Sequence, residues 1–232
     1  MSGRAIEAPD DDADDAAEAF ARALRIAEAL LFASAAPLTA EVLARAMPAG
    51  VAIGPVLARL AESYATRGVN LRRVAGGFAF RTAPDLGYLL AAEAEPPRRL
   101  SRAALEMLSI IAYHQPVTRA EIEEIRGVAT AKGTLDILLE AGFVRLRGRR
   151  RSPGRPITYG TTPGFLDHFG LDRIDDLPGL EELKGTGLIE GPLTRELTVP
   201  VPDDDPSLRD DEDPLGDLFS PLDDGESGQQ QG

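Results

Sequence analysis

Six arginines lie between residues 145 and 155, in a segment whose flanking pattern predicts the tip of a β-hairpin. They are Arg145, Arg147, Arg149, Arg150, Arg151 and Arg155. Guanidinium groups bind phosphate oxygens without reading base sequence, so the last five of these arginines are candidate nucleic-acid contacts. No aromatic residue is interleaved, and the preceding predicted helix offers only Lys132 as a basic residue. This pattern favours a solvated or protein-facing tip over DNA contact.

A second group of charged residues lies in the segment PVTRAEIEEIRG, residues 116–127. Thr118 and Glu121 have the spacing of a capping box, which gives both a structural role at a helix start. The carboxylates share a solvated helix face, and such a face does not separate the pKa values of an acid and a base. We therefore expect partner contacts here rather than catalysis. The candidate partner-binding residues are Arg119, Glu123 and Arg126.

The composition excludes several kinds of catalytic site. The chain has no cysteine, so it has no disulfide, thiolate metal site or thiol nucleophile. Its two histidines, His114 and His168, are too few and too far apart in sequence for a histidine metal cluster. No serine lies in a nucleophile elbow, and no phosphate-binding glycine loop is present. The sequence predicts a protein that is not an enzyme, with no catalytic, cofactor-binding or metal-binding residues.

The net charge of −13 is concentrated in the two ends of the chain. Residues 1–20 carry seven acidic and one basic side chain, residues 203–232 carry eleven and one, and the remainder has a charge of +3. We expect disordered acidic tails at residues 1–20 and 185–232. No signal peptide and no apolar run of membrane-spanning length is found, so the expected location is the cytoplasm.

Between the tails, the hydrophobic pattern predicts the same unit twice. Each copy reads as three short helices followed by a two-stranded hairpin, the plan of a winged helix. At an offset of 79 residues, Pro37–Thr39 align with Pro116–Thr118, and Thr82 aligns with Thr161. The predicted class is mainly α with small β-hairpin wings (α+β), as tandem winged-helix domains. The first spans residues 21–95, a linker 96–100, and the second, with short C-terminal helices, 101–184.

Several local features can be predicted within these units. In the second unit, Leu105, Leu108 and Ile111 are expected to face inward on one helix, and Ile122 and Ile125 on the next. Arg126 is expected at an exposed helix end. His114 is expected to be a helix-end residue that the C-terminal helix dipole favours. In the first unit, Gly76-Gly77 is expected to form the hairpin turn.

The second unit resembles segregation and condensation protein B, the winged-helix subunit of the bacterial SMC condensin complex. The matching segments are LSRAALEMLSIIAYHQPVTRAEIEEIRGV, LDILLEAGFVRLRGRRRSPGRPITYGTT, FLDHFGL and DLPGL. Weaker similarity in EALLFASAAPLT and GGFAFRTAPDL extends the resemblance to roughly residues 22–184. The run AYHQPVTRAEIEEIRGV followed by PGRPITYGTT is highly specific.

The resemblance implies a non-catalytic subunit without cofactors. Such a protein is expected to form a homodimer through its first unit and to bind a kleisin, segregation and condensation protein A. Through the kleisin it would join an SMC ATPase in chromosome condensation and segregation during cell division, at the nucleoid. The residues themselves do not identify the kleisin-binding surface or the role of the acidic tails, and pairing through the first unit is implied by the resemblance alone. The alternative is a winged-helix DNA-binding transcription regulator, which the near-neutral central region disfavours.

Overall fold

The computed structural model describes residues 11–89, 100–131, 133–179, 205 and 207–215 of the chain. These residues form two compact units. The first contains the described residues up to Leu100 together with Pro163–Pro178. The second contains Ser101–Thr162 and the described residues from Gly179 onward. Most of the predicted linker, residues 96–99, and Lys132 lie outside the described residues.

The first unit consists of three helices followed by an antiparallel hairpin. The elements are α1 (Asp11–Ala33), α2 (Ala40–Ala44), α3 (Ile53–Tyr64), β1 (Val69–Val74) and β2 (Gly77–Thr82), followed by a 3₁₀ turn at Pro84–Leu86. Thr39 caps α2 by accepting a hydrogen bond from the backbone N–H of Val42. The core is formed by apolar side chains spaced at helical intervals, with Ala27, Leu43 and Val56 fully buried. Apolar side chains that recur at the helical period of 3.6 residues thus form the core of this unit.

Helix α1 begins at Asp11, which corrects the predicted disorder of residues 1–20 for the part from residue 11 onward. The acidic cluster belongs to the first turns of this helix, where the positive end of the helix dipole stabilises negative charge. The following residues include Ala16, Ala17 and Ala19, and alanine has the highest helix propensity. The same acidic residues that indicated disorder therefore favour a helix start.

The hairpin turn of the first unit is formed by Ala75 and Gly76, not by Gly76 and Gly77. Both turn residues have positive φ, 51° and 72°, as a two-residue type I′ turn requires. Gly77 is the first residue of β2 and pairs with Val74. A side chain at Gly77 would lie 3.0 Å from the carbonyl oxygen of Leu38, so this glycine serves close packing.

Residues 163–178 belong to the first unit, which corrects the predicted second domain of 101–184. They contain α7 (Pro163–Phe169) and a 3₁₀ turn (Ile174–Asp176). Asp167 forms an ion pair with Arg81, and Asp172 pairs with Arg73 at 2.9 Å. The backbone N–H of Ala75 also donates to the carbonyl of Leu171 at 2.8 Å. These polar contacts, which apolar spacing does not reveal, join the segment to the hairpin of the first unit.

The second unit repeats the order of three helices and a hairpin. Its elements are α4 (Arg102–His114), β3 (Val117–Thr118), α5 (Arg119–Arg126), α6 (Thr134–Glu140), β4 (Val144–Arg150), β5 (Ile157–Thr161) and β6 (Glu212–Pro214). The strands form one antiparallel sheet in the order β3-β5-β4-β6. The offset of 79 residues holds for the helix N-caps Thr39 and Thr118 and for the strand ends Thr82 and Thr161.

Strand β6 corrects the predicted disorder of residues 185–232 for its described part. Residues 212–214 pair with β4 in antiparallel register, with Arg149 opposite Asp213. This acidic segment has little apolar surface, so hydrophobic pattern could not predict a strand here. Its order comes from backbone pairing and from contacts with arginines.

The predicted apolar faces of the second unit are confirmed in part. Leu108, Ile111 and Ile122 are buried. Leu105 and Ile125 are 47% and 46% exposed, which corrects their predicted inward orientation. Both lie at the edge of the apolar stripe, where a helix of this length does not bury every apolar position. The exposed pair therefore remains available on the surface.

Candidate interaction surface

The six arginines lie on or next to the hairpin of β4 and β5, here called the arginine hairpin (residues 144–161). The hairpin contains an irregularity between Leu146 and Arg149, where the strand register shifts. At this point the backbone N–H of Gly148 donates to the side-chain oxygen of Thr158 at 3.0 Å. Each of the six arginines makes a hydrogen bond within the second unit.

Arg150 connects the arginine hairpin to the start of α5. Its Nη2 atom donates to the Glu121 carboxylate at 2.9 and 3.0 Å and to the carbonyl of Pro116 at 3.0 Å. Its Nη1 atom donates to Asp211 at 2.8 Å. The side chain is only 15% exposed. A buried guanidinium needs such partners, since an unpaired buried charge is strongly destabilising.

Glu121 in turn completes the predicted capping box, which the structure confirms. Its carboxylate accepts a hydrogen bond from the backbone N–H of Thr118 at 2.7 Å, and the Thr118 hydroxyl accepts one from the backbone N–H of Glu121 at 3.3 Å. Burial acts to raise the pKa of Glu121, but the hydrogen bond from Thr118 and the ion pair with Arg150 outweigh it. The net pKa of Glu121 is therefore lowered.

Three more of the arginines contact Asp205 and residues 207–213. Arg147 donates to the backbone carbonyls of Asp205 and Ser207 at 2.8 and 2.7 Å. Arg151 and Arg155 both form ion pairs with Asp213 at 2.7 Å, which lower the pKa of that carboxyl.

Arg145 and Arg149 instead bond within the hairpin. They donate to the carbonyls of Thr161 and Arg155, each at 3.1 Å.

These contacts change the interpretation of the candidate nucleic-acid residues. The side chain of Arg147 is 3% exposed and that of Arg150 is 15% exposed. Both therefore act as structural residues in this arrangement, which corrects their predicted role as phosphate contacts. Arg151 and Arg155 are more than half exposed, and their carboxylate partner is Asp213.

Gln115 is a buried structural residue that the sequence did not single out. Its side-chain oxygen accepts hydrogen bonds from the backbone N–H of Thr161 at 2.6 Å and from the Thr161 hydroxyl at 3.1 Å. A side chain at Gly160 would lie 2.9 Å from the same oxygen. These contacts join the QPVT and YGT segments. The sequence feature that could have indicated this role is a polar residue placed between an apolar helix and Pro116.

The candidate partner-binding residues fall into two groups. Arg119 and Glu123 form an ion pair at 3.1 Å, and both hold the backbone of Thr130. This pair fixes the loop after α5 while leaving part of each side chain accessible. Arg126 pairs with Glu106, and its side chain is only 10% exposed. Its predicted position at an exposed helix end is therefore wrong, because the guanidinium folds back onto α4.

His114 is the last residue of α4 and is partly buried. Its predicted place at a helix end is confirmed. Burial lowers the pKa of its imidazole, which is the opposite direction to the effect of the helix dipole.

Within the described residues, no group of three or more histidine, aspartate or glutamate side chains could hold a metal ion. None of the helices there is long and apolar enough to cross a membrane.

The structure is that of a small protein of two units. In its second unit, ion pairs connect segments that are distant in sequence. Residues 25–180 match the family model described as "Segregation and condensation complex subunit ScpB". The chain belongs to this family, and that membership supports a role in chromosome segregation and condensation.

Curated relatives agree with the family match, and one solved structure is also similar in sequence. The chain is 40% identical over 182 residues to the segregation and condensation protein B homolog of Coxiella burnetii, covering 76% of this chain and 87% of the relative. It is 47% identical over 162 residues to segregation and condensation protein B of Moorella thermoacetica, covering 67% and 82%. The crystal structure of ScpB from Mycobacterium tuberculosis is 32% identical, covers 66% of this chain and 97% of its own, and superposes with a TM-score of 0.30.

The lowered pKa of Glu121 predicts a pH-dependent contribution to stability. Its carboxylate stabilises the fold above the unfolded pKa of about 4.5, and this stabilisation is lost as the pH falls through the lower folded pKa. We expect Glu121→Gln to lower stability at neutral pH by about 1 kcal/mol and to flatten the acid side of the profile. Thermal unfolding followed by circular dichroism measures both effects.

Glu124→Gln, which changes an exposed carboxylate on the same helix, is the control. Identical acid profiles for Glu121→Gln and the wild type would contradict the assignment.

Proposed function

We propose that this protein is a non-catalytic subunit that binds a kleisin and, through it, an SMC ATPase, in chromosome condensation and segregation during cell division. The observation that carries the proposal is the family match over residues 25–180, which extends across both units. On this proposal each unit is a winged helix, since each has three helices followed by an antiparallel hairpin. The protein would act at the nucleoid, in the cytoplasm, without a cofactor.

The proposed homodimer contact lies on the first unit. A cleft of about 670 Å³ is lined by residues of α1, α3 and the hairpin, among them Leu31, Phe32, Val69 and Phe80. Phe32 is 86% exposed, although it follows the buried Leu31 on the same helix. Burying an aromatic side chain of this kind against a partner is favourable by about 1.5–3 kcal/mol. A second copy of the chain is the occupant that we propose for this apolar surface.

The proposed kleisin surface lies on the second unit, along α5 and the turn that follows it. Ile125 and Val128 are about half exposed, and the Arg119–Glu123 ion pair lies on the same helix. Such a surface combines apolar contact with a charged pair, and it suits a partner segment with an apolar face. Arg126 is excluded from this surface, because it is largely buried against Glu106.

Phe32→Asp is expected to convert the dimer into a monomer, because the new charge would be buried without a partner at the interface. Light scattering on the full chain should show the wild type at twice the monomer mass and the variant at the monomer mass. Val42→Asp introduces the same charge at another exposed apolar position of the first unit and should remain dimeric. A dimeric Phe32→Asp variant would contradict this contact, and a monomeric wild type would contradict the dimer itself.

Capture from extracts of the protein's own cells tests the proposed partners. The tagged full chain should recover a kleisin and an SMC ATPase, identified by mass spectrometry. Ile125→Asp should lose both partners while keeping its circular dichroism spectrum, since Ile125 is exposed and the core is untouched. Val42→Asp should retain both. Failure of the wild type to recover a kleisin would overturn the proposed function, whereas recovery by Ile125→Asp would overturn only the proposed surface.

A further inference from the structure

The acidic segment 205–214, described at Asp205 and residues 207–214, is attached to the arginine hairpin through strand β6. Gly148, Arg149 and Arg150 lie opposite Pro214, Asp213 and Glu212 in an antiparallel ladder. The backbone N–H of Arg151 extends this pairing by donating to the carbonyl of Asp211 at 2.7 Å. The segment therefore occupies the edge of β4 that lies opposite β5. An exposed strand edge is a site at which extended peptide can bind.

Glu212 anchors this strand through a buried carboxylate. The residue is 2% exposed. The Thr158 hydroxyl accepts a hydrogen bond from Gly148 and donates one to Glu212 at 2.5 Å. The other carboxylate oxygen accepts from the backbone N–H of Arg209 at 3.1 Å and lies 3.9 Å from the Arg147 guanidinium. A buried carboxylate with this set of partners fixes the register of the strand.

Gly148 allows the tail backbone to approach β4 closely. A Cβ atom at this position would lie 2.6 Å from the carbonyl oxygen of Asp213 and 2.9 Å from the Leu208 side chain. Any side chain at position 148 would therefore displace the tail. The glycine at position 148 therefore leaves the space that this segment needs beside β4.

The charges of the two partners are complementary. Residues 205–214 carry five acidic side chains and one basic side chain. Asp213 pairs with both Arg151 and Arg155, which are more than half exposed. Ion pairs at such exposure are weak and are screened by salt, so another anion can replace the carboxylate. The attachment of the strand depends instead on Glu212 and the backbone ladder.

We propose that residues 205–214 are a detachable intrachain cover of the arginine hairpin, which keeps Arg151 and Arg155 from the phosphates of duplex nucleic acid. Without the cover, two guanidinium groups on a hairpin tip lose their carboxylate partner. Phosphates spaced along a duplex are anions that two such groups can bind together, without sequence readout. The proposal does not depend on kleisin binding.

The experiment first tests whether the cover is seated and can be released. Hydrogen exchange of the full chain should show protected amides in the β4 edge and in residues 212–213. Glu212→Ala removes the buried anchor, and Gly148→Ala blocks the close approach by a different route. Both variants should lose this protection while the amides of α4 remain protected. Unprotected β6 amides in the wild type, or full protection in both variants, would overturn the proposal.

The second readout is the salt dependence of binding to a random-sequence DNA duplex, measured by fluorescence anisotropy. In both released variants, the slope of log K against log salt should become steeper by about 2, since each freed arginine displaces about one counterion. Asp213→Asn should give the same change without disturbing the anchor. Asp14→Asn, which removes one negative charge from the first unit, should leave the slope unchanged.

A final variant tests whether Arg151 and Arg155 make the additional contact with DNA. Adding Arg151→Ala and Arg155→Ala to Glu212→Ala should return the slope to the wild-type value. An unchanged slope in the released variants, or a steep slope that survives loss of both arginines, would overturn the proposal.

Discussion

The Arg150 guanidinium joins three segments of the second unit that are far apart in sequence. It binds the carbonyl of Pro116, the carboxylate of Glu121 and, at 2.8 Å, the carboxylate of Asp211. The charge is largely removed from water, so each of these oxygen partners offsets part of its desolvation. The start of α5, the hairpin strand β4 and the acidic tail therefore all contact one side chain.

Further polar contacts connect the most specific sequence segments of the second unit. Gln115 binds Thr161 across the sheet, and Glu121 binds both Thr118 and Arg150. Gln115 thus links the QPVTRAE segment to the PITYGT segment, and Glu121 links it to the arginine hairpin. The partner surface that we propose on α5 includes the exposed apolar residue Ile125. Conspicuous charge in this chain marks internal structure as much as external contact.

Short-range physics made the helices, the caps and the repeat predictable. Thr118 and Glu121 are three residues apart, and the geometry of a capping box follows from that spacing alone. Strand β6 was not predictable, because the burial of Glu212 depends on Thr158, which lies 54 residues away. The arginines of the hairpin were found, but Asp211, Glu212 and Asp213, which contact them, were assigned to a disordered tail. Ion pairs between segments that are distant in sequence produce no periodic pattern, so they could not be predicted from the hydrophobic periodicity.

A double-mutant cycle on Glu121 and Arg150 tests the central claim most directly. The cycle combines Glu121→Gln and Arg150→Met, and the free energy of opening is measured by native-state hydrogen exchange at the amide of Ile122. Because the two side chains form a direct, partly buried ion pair, the account predicts a coupling energy of about 1 kcal/mol. Additivity of the two changes within about 0.3 kcal/mol would contradict it. In that case Arg150 would not be the residue that holds the hairpin to α5.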